Sequence, residues 1–296
     1  PDMTTAAIVG IGLAFVAMLS WGFGDFLIQK STRKLGDWET LFLITLFGGI
    51  VLLPFVWTRI PDLFAEKGMP LVILFIASVV LFIAALLEFE SLRRGKLSVI
   101  EPIWSFEVPV AAFLAYILLG ESVSFVQIVI IVSLIVCLIL LGLRHKDIKS
   151  SMFLEKGALI AFISAIFMGG ANFFMGWGGR VSDPLMVNFF SDVFIAALSG
   201  IVLLFRGRLM SSFSDVRHNI RLLLPMAVFD KVAWIAFVFS MSLAPIAIAT
   251  AFSESYIIIA VLLGLAVNKD KLHGHQKFGL VGAIMMAVTL TLTISG

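Results

Sequence analysis

GIGLAFVAMLSWGFGDFLIQKSTR at residues 10–33 and GALIAFISAIFMGGANFFMGWGGR at residues 157–180 follow one pattern. At a constant offset of 147 residues they align Gly10 with Gly157, Ala14 with Ala161, Phe15 with Phe162, Gly22 with Gly169, Phe26 with Phe173 and Arg33 with Arg180. Phe42 meets Phe189 just beyond, and Asp25 falls on Asn172. Further along, an offset of 149 pairs Ser91 with Ser240, Glu121 with Asp270 and Gln127 with Gln276, as though two residues had been inserted in the second copy. The glycine, polar and charged matches carry the argument, because composition alone produces apolar coincidences. The chain reads as one unit written twice.

Each copy is far too apolar for a water-soluble domain. The 296 residues are 60% hydrophobic and 14% charged with a mean hydropathy of +1.10, against roughly 45–50% apolar and about 25% charged in soluble domains. This is the composition of an all-α integral membrane protein, with a lipid bilayer as its surroundings. A net charge of +2, with no basic patch, sets nucleic acid aside as a partner. The single cysteine, Cys137, lies in an apolar run and excludes a disulfide framework within the chain. The first apolar run lacks the charged start and small-residue cleavage site of a signal peptide. Pro1-Asp2, ahead of Met3, read as a cloning remnant and are set aside.

Apolar runs long enough to cross about 30 Å of hydrocarbon as helix fall near 6–29, 39–58, 70–92, 97–119, 123–143, 156–178, 184–205, 220–243, 246–267 and 274–295. That predicts ten transmembrane helices: a first five-helix repeat over 6–143, a cytoplasmic linker over 144–156, and a second five-helix repeat over 157–295. Five is odd, so the second copy enters the membrane from the opposite side. The result is an inverted-topology repeat, whose substrate site is expected near the midplane between the halves. The charged stretch from Arg206 to Arg221 reads as a surface loop or interfacial helix.

Sorting the 21 Lys and Arg residues by side supports the count. Seventeen fall in the odd-numbered loops: Lys30, Arg33, Lys34, Arg93, Arg94, Lys96, Arg144, Lys146, Lys149, Lys156, Arg206, Arg208, Arg217, Arg221, Lys269, Lys271 and Lys277. Arg59, Lys67 and Arg180 lie on the other side, and Lys231 lies within a span. The positive-inside rule then makes the first loop cytoplasmic and places both termini outside, in a multi-pass protein of the inner or plasma membrane.

Nine acids sit inside or at the ends of spans: Asp25, Glu39, Glu88, Glu90, Glu101, Glu107, Asp192, Asp230 and Glu254. Each ionised group at mid-bilayer costs about 2.5–3.5 kcal/mol on insertion scales, so this many implies a polar interior. Some have structural explanations: Glu90 lies one turn before Arg94, Glu39 favours a helix N-terminus, and Glu121 and Asp270 sit where helix caps are needed. Glu107, Asp192, Asp230, Lys231 and Glu254 fall near the midplane. Lys231 calls for a carboxylate from another helix, with Asp192, Glu107 and Glu254 the candidates, since Asp230 projects about 100° away around the helix. One lysine cannot neutralise four acids. At least one is then protonated in its dry surroundings or held ready for a cationic ligand, the property a proton-coupled antiporter uses.

Helix breakers flank these acids. Pro102 follows Glu101, Pro109 follows Glu107, and Gly22-Phe23-Gly24 and Gly169-Gly170 occupy equivalent places in the first and sixth spans. Unwound segments at a transport site and small residues for close helix packing are both open readings of them. Trp21, Trp104, Trp234 and Tyr256 lie near the same acids and suit cation–π contact, although membrane tryptophans also form interfacial belts.

Ten spans in two inverted halves, Trp21-Gly22 leading to Asp25, Gly169 leading to Asn172, and a proline in the fourth span followed by LLGES at 118–122 resemble the drug/metabolite transporter superfamily, specifically its EamA-type members. The resemblance implies alternating access by two five-helix bundles around a central cavity, carrying small metabolites, amino acids or drugs, often outward. It carries the family's acids onto Asp25 and Glu121. Familiar bacterial members have cytoplasmic termini, the reverse of the charge bias here.

The expected function is therefore secondary active transport of a small polar metabolite, amino acid or cationic drug-like compound. Efflux is driven by a proton or ion gradient, without cofactor or metal; the oligomeric state stays open, a monomer being compatible with the sequence. Glu107, Asp192, Asp230, Glu254, Lys231, Trp104, Trp234 and Tyr256 form the expected substrate or proton set. Asp25, ending the first helix against the cavity, with Asn172, Trp21, Glu101 and Pro102, serves gating or structure. An uncoupled uniporter or exchanger, uptake of a sugar-like or zwitterionic metabolite, and a passive channel are the rival transport readings. Gly22-Phe23-Gly24-Asp25 also resembles the GxGD motif of presenilin-type intramembrane aspartyl proteases, with Asp230 as a second aspartate. Those enzymes resemble a YD-then-GxGD order with a later PAL motif; here the order is reversed, Phe229 precedes Asp230 and no PAL follows. His145, His218, His273 and His275 lie in basic loops without the spacing of a catalytic metal site.

Overall fold

The computed structural model describes residues 3–65, 68–95, 97–142, 157–259 and 272–295, and every regular element among them is helical. In the first half these are α1 (Met3–Leu35), α2 (Asp37–Val56), α3 (Ile60–Ala65), α4 (Met69–Arg94), α5 (Leu97–Trp104), α6 (Glu107–Leu119) and α7 (Phe125–Gly142). In the second half they are α8 (Ala158–Val181), α9 (Pro184–Phe205), α10 (Leu209–Leu243), α11 (Ile246–Ser253), a 3₁₀ turn at Glu254–Tyr256, and α12 (Gly274–Ser295). Among the described residues, seven helices or helical stretches are long and apolar enough to cross a membrane, and shorter apolar helices join them. The expected linker at 144–156 and Asp270 lie outside the described residues.

The offsets read from sequence reappear in the helix boundaries. Moving α2 along by 147 residues starts it at Pro184, the first residue of α9; moving α5 by 149 lands it on α11, residue for residue. The interruption after Trp104 thus recurs at the 3₁₀ turn. The packing repeats as well: α1 runs along α10 and its counterpart α8 runs along α4, while α2 packs on α9 and α7 on α12. Exchanging the halves maps this set of contacts onto itself.

Individual residues account for the correspondence. The Cβ that Gly22 lacks would press on Ile259 and approach the Tyr256 carbonyl, and that of Gly169 would press on Val110 and the Glu107 carbonyl. The partners, like the glycines, are repeat mates. α1 and α8 are continuous through these glycines, so their role is close approach of helices, and the alternative of a loosened helix is not what the backbone adopts. Ser124 and Gln127 form a reciprocal capping box at the start of α7, Gln127 Oε1 accepting from the Ser124 N–H at 3.0 Å and Ser124 Oγ from the Gln127 N–H at 3.2 Å. Gln276 Oε1 accepts from the His273 N–H at 3.1 Å in the same register ahead of α12.

Arginines tie the helix ends in the same paired way. Arg33 donates to the Gly95 carbonyl at 2.9 Å. Its mate Arg180 donates to the carbonyls of Ala244 (2.9 Å) and Met241 (2.7 Å) and pairs with Glu121. Glu121 in turn accepts from the Ile246 N–H at 2.9 Å. It caps α11, a helix in the other half, which is the capping role expected of it with an unexpected recipient.

Two other sequence readings meet their partners. Glu90 pairs with Arg94, and also with Arg93, which reaches Asp37 at 3.0 Å. Glu39 lies in the first turn of α2 and holds Arg208 at 3.0 Å. The charged stretch after α9 is helical: α10 begins at Leu209 and bends at Asn219, where the backbone leaves helical geometry. Arg206 lies over the Trp38 ring, 5.2 Å from its centroid. Together with the Arg208–Glu39 pair it fixes this extension to the junction of α1 and α2. Outward faces stay apolar, with Phe55, Phe113, Tyr116 and Phe278 more than half exposed, as lipid-facing surfaces require.

Candidate functional site

A cavity with about 800 Å³ of empty space, part of it open to solvent, lies among α1, α2, α4, α5, α6, α8, α9, α10 and the 3₁₀ turn. Neither α7 nor α12 contributes to its lining, so that pair braces the assembly from outside. Among the described residues the walls carry six acids, Asp25, Glu88, Glu107, Asp192, Asp230 and Glu254, and a single cation, Lys231. Trp21, Trp104, Trp234, Tyr256 and Asn172 complete the set anticipated from sequence, and all of them line this one space. Pro102 is buried in α5 away from the lining, and the side chain of Glu101 lies outside the described residues.

Lys231 Nζ lies 2.5 Å from Asp192 Oδ2, with side-chain exposures of 5% and 9%. Asp192 is thus the partner among the candidates. The pair fits because α2 presents Gly48 there: a Cβ on Gly48 would overlap Asp192 Oδ2 and Lys231 Cε. Glu107 accepts a hydrogen bond from Asn172 Nδ2 at 3.1 Å. The repeat mates of these residues, Tyr256 for Glu107 and Asp25 for Asn172, face the same cavity. Trp21 meets Trp234 edge-on at 5.4 Å and Phe237 at 5.1 Å, building an aromatic wall beside Asp230 and Lys231.

The breaks expected near the acids fall in the fourth and ninth predicted spans. α5 ends at Trp104 and α6 begins at Glu107, so the gap at Ser105-Phe106 positions Glu107 in the first turn of a new helix. In the other half the 3₁₀ turn contains Glu254 and Tyr256 themselves. Discontinuous helices leave backbone groups uncommitted at the depth where a transporter binds its cargo.

One expectation is corrected. Asp25 does not end the first helix: α1 continues to Leu35, and Asp25 lies within it, 5% exposed against the cavity. The 33 residues of α1 span about 50 Å at 1.5 Å per residue, beyond the hydrocarbon, so Lys30, Arg33 and Lys34 lie past the apolar run whose end was taken for the helix end.

Glu88 was missed. Counted among the nine acids but given no role, it lines the cavity with Leu81 and Ala85. That i, i+4, i+7 stripe was the available signal. Asn188, Ser191, Asp192 and Ile195 of α9 form a similar stripe.

An all-helical bundle with an apolar exterior and a charged cavity is the architecture of a multi-pass membrane protein. The EamA-like transporter family model matches residues 8–143 and, a second time, 155–293, so the chain belongs to that family and is a transporter of the drug/metabolite type. Comparison with curated proteins gave no match. Among solved structures, one described as "Crystal structure of protein" is 16% identical, with a TM-score of 0.72 over 96% of this chain and 97% of that one. At that identity the likeness is one of fold.

Proposed function

We propose that the protein works by alternating access, as ten transmembrane helices in two inverted five-helix repeats, 6–143 and 157–295 joined by 144–156. The two repeats rock about the central cavity. The cargo is a small polar metabolite, amino acid or cationic drug-like compound, and its efflux is coupled to protons. The Lys and Arg bias puts both termini on the non-cytoplasmic side of the cell membrane. The observation that carries this reading is one cavity, walled by both halves, with six acids and one lysine that is already engaged. Coupling needs a carboxylate that proton and cargo occupy by turns, and Glu107, Asp230 and Glu254, with the newly recognised Glu88, provide it. Lys231 and Asp192 serve as the fixed counter-charges. Asp25, Asn172 and Trp21 shape the wall that must move.

The test is proton release from purified protein in weakly buffered detergent as amines, amino acids and sugars are added, with Glu254→Gln and Asp192→Asn beside the wild type. Release on adding one class of compound, abolished by one substitution, identifies antiport and its carboxylate. Compound binding without proton release at any pH would move the uncoupled uniporter or exchanger ahead.

A further inference from the structure

We infer that the cavity selects organic cations whose second polar group is an uncharged hydrogen-bond acceptor, such as amino alcohols, and rejects amino acids and organic anions bearing a free carboxylate. The inference rests on the transporter reading of this cavity and names the class of its cargo.

Charge is the first ground. Lys231 is the only cation among the described residues of the lining, and it is committed to Asp192 at 2.5 Å beneath Gly48. Glu88, Glu107 and Glu254 are in no ion pair among the described residues. Glu254 is 6% exposed and lies in the 3₁₀ turn facing the space. An incoming ammonium meets carboxylates and, at the Trp21–Trp234 wall, aromatic faces. An incoming carboxylate finds acids and, among the described residues of the lining, no uncommitted cation to receive it. Burying such a group without a partner is strongly unfavourable.

Trp104 is the second, independent ground. It lines the cavity at 2% exposure, and its indole N–H has no acceptor among the described residues. A dry donor left unsatisfied is costly. A hydroxyl, ether or carbonyl oxygen of an occupant that reaches this N–H removes that deficit, which an amine with a purely hydrocarbon body does not. The aromatic and apolar surfaces of Trp21, Ile28, Leu81 and Met168 hold the body.

Four probes with one phenyl ring separate the terms: phenylalaninol (cation with a neutral acceptor), phenethylamine (cation without one), phenylalanine (zwitterion) and 3-phenylpropionate (anion). Calorimetric titration of the purified protein should give phenylalaninol a Kd about tenfold or more below that of phenylalanine, with no heat from 3-phenylpropionate. Phenylalaninol should bind about 2- to 10-fold more tightly than phenethylamine, the range of one neutral hydrogen bond. Trp104→Phe should close that gap, bringing the two amines to equal affinity. Phenylalanine binding as tightly as phenylalaninol, or no binding of either amine, would overturn the inference. If Trp104→Phe fails to fold, Glu254→Gln provides the second variant, and undiminished affinity for both amines there would overturn it too. Flux into proteoliposomes separates the two claims. Phenylalaninol bound yet never carried removes the transporter reading and leaves the binding class. Phenylalanine carried while phenylalaninol is not removes the class and leaves the transporter.

Discussion

Breaking the Lys231–Asp192 pair from either side should harm the protein far more than removing it whole. At 2.5 Å the gross attraction is about 7 kcal/mol at an effective dielectric constant of ~20, most of it offset by the cost of taking both groups out of water. Removing one partner of a pair this buried leaves the other uncompensated, a loss of about 3–5 kcal/mol. Lys231→Met and Asp192→Asn should each lower the midpoint of thermal unfolding in detergent by about 6–10 °C, at roughly 2 °C per kcal/mol for a chain of this size. The double variant replaces the pair with uncharged groups of similar volume and should recover to within about 2 °C of wild type, since such replacements are often neutral. The assay is a double-mutant cycle of melting temperatures on the four proteins, with size-exclusion profiles to confirm that each is folded. If the double variant falls by the sum of the single losses, the two residues are uncoupled and the ion-pair assignment fails.

Glycine contacts give a second contrast: Gly169→Ala drives a Cβ to within 2.6 Å of Val110 and 2.7 Å of the Glu107 carbonyl and should cost about 1–3 kcal/mol. Gly12→Ala faces open space and should be neutral or stabilising by up to about 1 kcal/mol; equal melting temperatures for the two would refute the packing. Arg180→Lys cannot satisfy two carbonyls and Glu121 at once. In a Cys137→Ser background it should speed maleimide labelling of a cysteine placed at Ser242 several-fold, and an unchanged rate would deny Arg180 a role in holding that end closed. Asp25→Asn should slow proteoliposome transport or alter its pH dependence, and wild-type behaviour in both would remove Asp25 from the moving wall.

Much of this architecture was legible because repeats constrain each other. Gly22 with Gly169 and Gln127 with Gln276 are matches that composition does not produce, and each pair makes equivalent contacts, the glycines with the opposite half and the glutamines at the start of their own helices. The cavity residues were legible because charge in hydrocarbon demands a reason, which singled out Glu107, Asp192, Asp230, Lys231 and Glu254 individually. Sequence left open which acid meets Lys231, since helical spacing fixes a direction around one axis and says nothing of the neighbour's register. Asp25 was placed at a helix end because the apolar run stops near Gln29, while α1 continues to Leu35, and Glu88 was given no role because its side of α4 is defined only by the helices packed around it. Glu121 capping α11 across the repeats was invisible for the same reason, because it depends on how two non-adjacent chain segments meet.

The extension of α10 has a mechanical consequence. Lys231 and Leu209 stand on one helical element, 22 residues or about 33 Å apart at 1.5 Å per residue, so the cavity wall and the membrane surface share a lever. A tilt of about 5° pivoting at Lys231 sweeps the far end by about 3 Å over that arm. The Arg206–Trp38 and Arg208–Glu39 contacts would have to stretch or release under such a sweep, unless the bend at Asn219 absorbed it. Asn219 is thus the joint that decides whether motion at the cavity is transmitted to the surface or dissipated short of it.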